Sequence, residues 1–503
     1  MAAIGIDYGT SNSEVAWFDG KQSQFISLDP LQATSNKIRS SVFIYYEDEL
    51  PTPPASAVEA KVAQLKRAIT EQIEKAKQGY YDAKDPREQQ VYSQKVDDLR
   101  GEFHNLPALQ RRAIQYLLKD MTVEDLPLQK LVETGTFAFG EEGFKRFLAT
   151  PQKGRLIYSP KNFLGANLDS SQREAFVMMI ARQLGYFRQA AESQLNQTVD
   201  TAVIGRPVRF HGNRGEEGNQ QAVQIMTKAA TQAGFTRVEF LEEPIAAAYQ
   251  VERALPQPTD VLVVDIGGGT TDICCITLSP ENLLSLQRQG DVQSVTGARL
   301  GGMECDKNLI VKAIAPTMGQ GKKTQASLPV PPTYFTDMCA VDDIPRMNRF
   351  FSDEYGLDIA QTMSLVAEPA ALERLLTVQT DKLSARLVNS SRMAKEMLSS
   401  KDSVTLPLNY IEPEFDVTIS RTDLNTSMKP WLSKVKKLIA DCLENSARPP
   451  QMLFMTGGMS LSPIVQQEIR AMLPADLPLI EGDAFNSVCE GLAIQASRLT
   501  PAK

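Results

Sequence analysis

Two short segments repeat the same order of features, and they constrain the fold more than any other part of this sequence. In the first, an apolar strand ends at Asp7, residues 9–11 form a glycine-containing turn, and a second strand follows. In the second, the strand VLVVDI ends near Asp265, residues 267–270 form the turn, and DICCITL follows. The two aspartates are 258 positions apart. Matched hairpins at this separation predict an α/β protein with two duplicated lobes and a ligand between them.

Both turns have the composition that a phosphate chain requires. Glycine lets the backbone adopt unusual conformations and approach closely, so that N–H groups can point at the anion. A carboxylate at the end of each preceding strand can hold Mg²⁺ through its water shell, because this ion gives up water reluctantly. The residues predicted to bind phosphate are Gly9, Thr10, Ser11, Gly267, Gly268, Gly269 and Thr270.

The glycine turns do not match two other common nucleotide-binding motifs. The sequence GxxxxGK[ST] is absent, which excludes a P-loop, and no GxGxxG joins a strand to a helix, which argues against a dinucleotide site. A single turn of this kind is commonly just a tight hairpin, so the argument depends on both. A third pair, Gly457 and Gly458, lies between a strand and a helix and either passes beneath a nucleoside or makes a plain turn.

Two charged residues are candidates for catalysis. Glu243 precedes Pro244 where a strand gives way to a helix, and its carboxylate either positions water or caps the helix. Lys161, in SPKNFLG, is the best candidate for a lysine that reaches the phosphates, although most lysines are simply solvated.

The segment at about residues 55–134 is predicted to be a helical insertion. Apolar residues recur there at helical spacing, at Val58, Val62, Leu65, Ile69 and Ile73. The insertion either docks a protein partner or packs as a helical pair on its own lobe.

Composition excludes several classes of function. A net charge of −8 gives no reason to expect nucleic acid or an anionic membrane as a partner. No apolar run approaches the ~18 residues that span a bilayer, and a strand begins too early to leave room for a signal peptide. The six cysteines include no CxxC pair, and only two histidines are present. A cytoplasmic protein is expected.

Six motifs resemble those of DnaK-type (70-kDa heat-shock) chaperones, in the same order. GIDYGTSNS and VVDIGGGTTDI look like the two phosphate motifs, and LEEPIAAAY looks like the connecting motif. LGGMECD resembles the segment that follows the second hairpin, AKEMLSS resembles the adenine-contacting helix, and FMTGGMSLSP resembles the adenosine motif. The resemblance covers residues 3–497 apart from the insertion, and SPKNFLGA with AVIGRPV looks most like the YegD-like branch. It implies an actin-like ATPase (ribonuclease H-like) fold with mixed sheets flanked by helices.

At the phosphate end, the resemblance implies that Asp7 and Asp265 hold hydrated Mg²⁺ and help to orient the attacking water. Lys161 contacts the γ-phosphate and that water, and Glu243 orders the metal waters. The expected activity is slow, weak hydrolysis of ATP to ADP and phosphate, coupled to closure of the lobes.

At the nucleoside end, Lys395 and Ser399 are expected to contact ribose and adenine above Gly457 and Gly458. Pro207 occupies the position of the family's proline switch between the lobes. The sequence departs from the family here at Met459, Leu461, Arg392, Glu396 and Phe485, although Asp483 is close to the last.

The predicted domains are a first lobe at residues 1–249, with the insertion, and a second lobe at residues 250–503. No peptide-binding domain is expected, which leaves action through a partner or co-chaperone at the insertion. A non-catalytic nucleotide-sensing or assembly protein and a small-molecule kinase remain alternatives.

Overall fold

The computed structural model describes residues 2–29, 31, 36–47, 53, 55–83, 85–120, 126–150, 153–210, 214–283, 285, 288, 290–480 and 486–499. The strands in these ranges are β1 (Ala2–Asp7), β2 (Asn12–Phe18), β3 (Ser23–Phe25), β4 (Ile38–Arg39), β5 (Ser41–Tyr45), β6 (Thr136–Phe139), β7 (Gly154–Tyr158), β8 (Val199–Arg206), β9 (Arg237–Glu242), β10 (Thr259–Ile266), β11 (Thr271–Leu278), β12 (Val292–Ala298), β13 (Ser403–Pro407), β14 (Asp416–Ser420), β15 (Met452–Thr456) and β16 (Leu479–Ile480).

The helices in the same ranges follow in chain order. They are α1 (Ala55–Asp82), α2 (Pro86–His104), α3 (Leu106–Asp120), α4 (Leu128–Thr134), α5 (Gly140–Ala149), α6 (Ser170–Leu195), α7 (Gly215–Gln232), α8 (Glu243–Glu252), α9 (Gly302–Leu309), α10 (Thr333–Asp337), α11 (Ile344–Phe350), α12 (Asp353–Ser364), α13 (Ala370–Thr380), α14 (Ser384–Leu398), α15 (Arg421–Glu444), α16 (Pro463–Arg470) and α17 (Ser487–Arg498). None of those in the described ranges combines the length and hydrophobicity that crossing a bilayer requires.

Two mixed sheets share one topology. The first has the order β3-β2-β1-β8-β9, with β4 beside β2, and the second has the order β12-β11-β10-β15-β16. In each, the first strand pairs antiparallel with the strand that follows its glycine turn and parallel with a strand from later in the chain. This repetition, with helices around both sheets, confirms the predicted fold class. Two smaller sheets have the orders β6-β5-β7 and β13-β14.

Glycines allow the last helix to pack tightly on the first strand. A Cβ on Gly5 of β1 would lie 2.3 Å from the backbone nitrogen of Ala493 in α17, and one on Gly491 would lie 1.7 Å from the carbonyl oxygen of Ala246 in α8. Any side chain at these positions would push the elements apart. An apolar core that joins the two larger sheets through α8 and α17 includes Ala3, Val203, Val263, Phe454 and Leu492.

The chain divides into two compact units. The first comprises Met1–Phe43, Phe137–Pro151 and Leu156–Lys503, and it contains both larger sheets. The second comprises Ile44–Thr136 and Gln152–Arg155, which includes the predicted insertion. Its helices α1–α3 share a core formed by Val58, Val62, Ile69, Ala76, Val96, Leu99, Leu109 and Ala113. The lobe boundary predicted at residue 249 stays a prediction.

Candidate functional site

The two glycine turns lie against each other. A Cβ on Gly268 would lie 1.9 Å from the hydroxyl oxygen of Ser11, and one on Gly269 would lie 2.4 Å from Oγ1 of Thr10. Each turn follows a strand at the centre of its sheet, so the duplicated topology brings the turns together although they are far apart in sequence. The absence of side chains at these glycines is what permits the approach.

The segment around Lys161 is attached to the first turn. The hydroxyl of Ser159 donates to the carbonyl oxygen of Thr10 at 2.5 Å, and Thr10 Oγ1 donates to Asn162 Oδ1 at 3.3 Å. Nδ2 of Asn162 is buried without a hydrogen-bond partner among the described atoms. A buried donor beside two glycine turns suits an anionic ligand, because leaving it unpaired costs about 1–3 kcal/mol.

Lys161 forms a buried ion pair with Glu243 at the start of α8. Their side chains are only 5% and 9% exposed. Burial alone would lower the pKa of Lys161, but nearby carboxylates, chiefly that of Glu243, raise it above its ordinary value. The lysine is therefore a fixed positive charge at the junction of the turns. Its side chain is not solvated, which was the competing interpretation.

Asp265 and Asp272 lie directly opposite each other in the β10–β11 ladder. Both are buried. Burial, followed by the charges of Glu243, Asp272 and Asp7, raises the pKa of Asp265 well above its ordinary value. Burial and Glu243 likewise raise the pKa of Asp272 to about 7, although a hydrogen bond from Val208 N at 2.7 Å opposes the shift.

Asp7 completes the cluster from the first hairpin. Burial and the charge of Glu243 raise its pKa to about 7, while Lys161 and Lys37 lower it. Across the β1–β2 ladder, Asp7 pairs with Glu14. The carboxylate of Glu14 is 3.6 Å from Nζ of Lys37.

The charge balance of this cluster fits a cation. Four carboxylates, those of Asp7, Glu243, Asp265 and Asp272, interact with the ammonium of Lys161, and Lys37 acts on Asp7 as well, so that the negative groups outnumber the positive ones. Within the described ranges, no group of three or more His, Cys, Asp and Glu side chains is arranged to hold a metal ion directly. The predicted Mg²⁺ site at Asp7 and Asp265 is one through water, and it stays a prediction.

The third glycine pair reaches the same place from β15. Gly457 has a φ of 80°, and a Cβ there would lie 2.4 Å from the carbonyl oxygen of Ile266 and 2.6 Å from Oδ1 of Asp265. This φ lies in a region that other residues rarely adopt. Gly458, by contrast, is exposed at the start of a short 3-10 helix.

The ammonium of Lys395 forms an ion pair and a hydrogen bond within the protein. Its Nζ is 2.8 Å from Oδ1 of the buried Asp306 and donates to the carbonyl oxygen of Gly302 at 3.0 Å. The backbone N–H of Gly302 in turn donates to the carbonyl oxygen of Gly267 at 3.0 Å, which ties Lys395 to the second turn. Ser399 follows α14 and is exposed, and its predicted role stays a prediction.

The residues that depart from the family pattern have distinct environments. Met459 is buried, and a Cβ on Gly302 would lie 3.0 Å from its sulfur. Leu461 is exposed, and Glu396 pairs with Arg392 at 2.5 Å within α14. Phe485 and Asp483 lie outside the described residues.

Sequence reasoning missed Asp272 in the cluster, and it missed Glu14 and Lys37 beside Asp7. Asp272 is the acidic residue that ends GGGTTD, seven positions after Asp265. Glu14 follows Asp7 at the same interval, and this repeat is the sequence signal for Asp272. The strand registers place Glu14 directly opposite Asp7 and Asp272 directly opposite Asp265. Lys37 carried no comparable signal, because only the pairing of β4 with β2 brings it beside Glu14.

Comparisons with known proteins agree with the fold. The family described as MreB/Mbl protein matches residues 176–310. A chaperone protein DnaK of Mycoplasmoides gallisepticum is 25% identical over 364 residues, which cover 71% of this chain and 49% of that protein. The resemblance to DnaK-type chaperones is confirmed.

Further relatives of this type extend the match. A chaperone protein HscA homolog of Rickettsia rickettsii is 24% identical over 71% of this chain and 46% of that protein. A heat shock protein homolog of Encephalitozoon cuniculi is 25% identical over 64% of this chain and 44% of that protein. The chain thus spans about half the length of the DnaK-type relatives that it matches, and none of these comparisons bears on the YegD-like branch.

Proposed function

We propose that this chain is an ATP-binding, chaperone-like protein that hydrolyses ATP slowly with Mg²⁺. Hydrolysis would be coupled to closure of the two lobes, which assists protein folding directly or through a partner. The observation that carries the proposal is the buried pair of Lys161 and Glu243 beside three aspartates, where two glycine turns meet. The names of the similar proteins support the chaperone part of it.

The residues divide the chemistry between them. Backbone N–H groups of the turns would bind the outer phosphates, and the Lys161 ammonium would stabilise the charge that the terminal phosphoryl group carries during transfer. Mg²⁺ would neutralise phosphate charge while held by Asp7 and Asp265 through its waters. Water attacks the terminal phosphorus, the bond to the bridging oxygen breaks, and a carboxylate of the cluster accepts the proton of the water. A pKa of about 7, as at Asp272, suits a proton acceptor at neutral pH.

Single-turnover hydrolysis of ATP tests this proposal. We expect the wild type to bind and slowly hydrolyse ATP, and Lys161→Ala and Asp265→Asn to bind it but to be at least ~100-fold slower, the range seen when one stabilising group is removed. Lys436→Ala is the matched control, because Lys436 also pairs with a glutamate, Glu468, but on α15 and α16. Unchanged hydrolysis in Lys161→Ala would contradict the assignment of that lysine.

The same assay separates the alternatives. A wild type that binds ATP and never turns it over would be a nucleotide sensor or an assembly protein, and sedimentation at several concentrations would detect assembly. Faster ADP release in the presence of one small hydroxyl compound would indicate a kinase.

The proposal extends to location and partner. A cytoplasmic setting is supported by the six cysteines, which are all free thiols. A partner or co-chaperone is proposed to bind the insertion helices, where Tyr81 and Val91 are 77% and 66% exposed.

A further inference from the structure

The two hairpins place a second carboxylate beside each cluster aspartate. Asp7 pairs with Glu14 across β1 and β2, as Asp265 pairs with Asp272 across β10 and β11. Residues directly opposite each other in an antiparallel ladder point to the same face, with Cβ atoms about 4.5–5.5 Å apart. Each cluster aspartate therefore has a like charge as its nearest cross-strand neighbour, which is destabilising unless the charge is offset.

The two hairpins offset this second charge in different ways. In the second lobe, Oδ1 of Asp272 accepts a hydrogen bond from the backbone N–H of Val208 at 2.7 Å. In the first lobe, Glu14 is only 2% exposed and faces an ammonium, that of Lys37, at 3.6 Å. The two hairpins thus have the same register, but a backbone N–H offsets the second carboxylate in one and a lysine ammonium offsets it in the other.

The backbone fixes Lys37 in this position. Lys37 immediately precedes β4, and Ile38 pairs with Ser13, the neighbour of Glu14 on β2. The side chain of Lys37 is 22% exposed, and its ammonium is close enough to Asp7 to act on it electrostatically. Lys37 therefore contacts the carboxylate of Glu14, acts electrostatically on Asp7 and belongs to neither glycine turn.

We propose that Lys37 is a positioning residue for the reaction: by pairing with Glu14 it cancels the charge opposite Asp7, so that Asp7 keeps its orientation toward the cluster. This inference rests on the proposed function. Lys37 itself is not required to touch the nucleotide. The requirement is for charge balance in the hairpin, so that removing both charges should be better tolerated than removing one.

A set of variants at these two positions tests the requirement. We expect Lys37→Met to reduce kcat for ATP hydrolysis by roughly 10–100-fold, since the buried charge of Glu14 then acts on Asp7 without the offset that the Lys37 ammonium provides. KM for ATP should change less than threefold, because the glycine turns are intact. Lys37→Arg should retain activity within about threefold, since it keeps the charge. The double variant Glu14→Gln with Lys37→Met should recover most of the lost rate, because the position opposite Asp7 on β2 is then uncharged.

Thermal melting of the same variants without nucleotide provides a readout that is independent of hydrolysis. Lys37→Met should lower Tm by several degrees, and the double variant should regain most of this loss. If the wild type hydrolyses no ATP, the proposed function fails while the melting cycle still decides whether Lys37 and Glu14 compensate each other. Wild-type kcat in Lys37→Met, or a double variant as impaired in rate and Tm as Lys37→Met, would overturn the inference.

Discussion

Gly268 and Ser11 approach each other so closely that a Cβ on the glycine would lie 1.9 Å from the serine hydroxyl oxygen. The two residues belong to the glycine turns of the two larger sheets, so a side chain at Gly268 would hold these turns apart. Gly267, one residue earlier, has far more space, because a Cβ there would meet only the carbonyl oxygen of Thr270 at 3.7 Å. The two glycines are thus a matched pair for testing closure.

Gly268→Ala should destabilise the protein by roughly 1–3 kcal/mol, the usual cost of overpacking a filled site, and should slow ATP hydrolysis by holding the turns apart. Gly267→Ala should have little effect on either property. Chemical denaturation and single-turnover assays on both variants check this. Equal effects at the two positions would mean that glycine is needed here for its backbone freedom and not for the close approach of Ser11.

Asp272→Asn should abolish most hydrolysis while preserving the fold. The amide oxygen can still accept the hydrogen bond from Val208, but the negative charge is lost, and we expect a rate reduced by at least ~100-fold. Asp272→Ala should in addition cost about 1 kcal/mol of stability, because the partly buried N–H of Val208 loses its partner. Asp260→Asn, on the outer end of β10, is the control and should remain active. Full activity of Asp272→Asn would show that the charge of Asp272 is not needed for hydrolysis.

The stability of the ligand-free protein should fall as the pH rises from about 4 to above 7. Asp7 and Asp272 have folded-state pKa values of about 7 against an ordinary value of 3.8. The folded state therefore binds more protons than the unfolded state between these values, so that unfolding becomes easier as protons are removed. We expect Tm to be several degrees lower at pH 8 than at pH 6.

The double variant Asp7→Asn with Asp272→Asn isolates this effect from that of other titrating groups, and its Tm should depend less on pH than that of the wild type. Mg²⁺ with nucleotide should also flatten the wild-type curve, because a bound cation favours the ionised carboxylates. A wild-type Tm that rises between pH 6 and pH 8 would contradict the prediction.

Lys395→Met should destabilise the protein by roughly 3–5 kcal/mol, the range for breaking one side of a buried ion pair. Asp306, the partner of Lys395, is 4% exposed and would be left without its cation. Adding Asp306→Asn should restore much of the stability, and urea denaturation of the single and double variants measures this. A double variant that is stable yet has unchanged ATP affinity would show that Lys395 is structural and does not contact the ribose.

Ile69→Ala should lower the stability of the insertion unit without altering ATP hydrolysis. Ile69 is 3% exposed in the core that α1–α3 share, and truncating such a residue costs about 2–5 kcal/mol. Unfolding followed by circular dichroism should show an earlier transition for this variant. Exposed Val91→Ala is the control and should leave unfolding unchanged. Reduced hydrolysis in folded Ile69→Ala would instead couple the insertion to the site.

The sequence predicted the features whose physical cause is local. Apolar strands that end in Asp7 and Asp265, glycine turns and helical periodicity at Val58 and Ile69 all depend on neighbours within a few residues, and the corresponding elements are present. The hairpin β13–β14 was not foreseen, because its alternation is confined to five residues a strand. The approach of Lys37 to Glu14 depends on the pairing of β4 with β2 and could not be read from one segment alone.

The packing of α17 on β1 has a consequence for synthesis of the protein. Gly5 and Ala493 are separated by nearly the whole chain, yet their backbones are in contact. On a ribosome adding about 5–20 residues per second, roughly 25–100 s pass between the two. During that interval the apolar central strand β1 lacks the helix α17 that packs on it, so that its apolar surface can contact other nascent chains. A protein proposed to assist the folding of others would itself be in need of protection before α17 emerges.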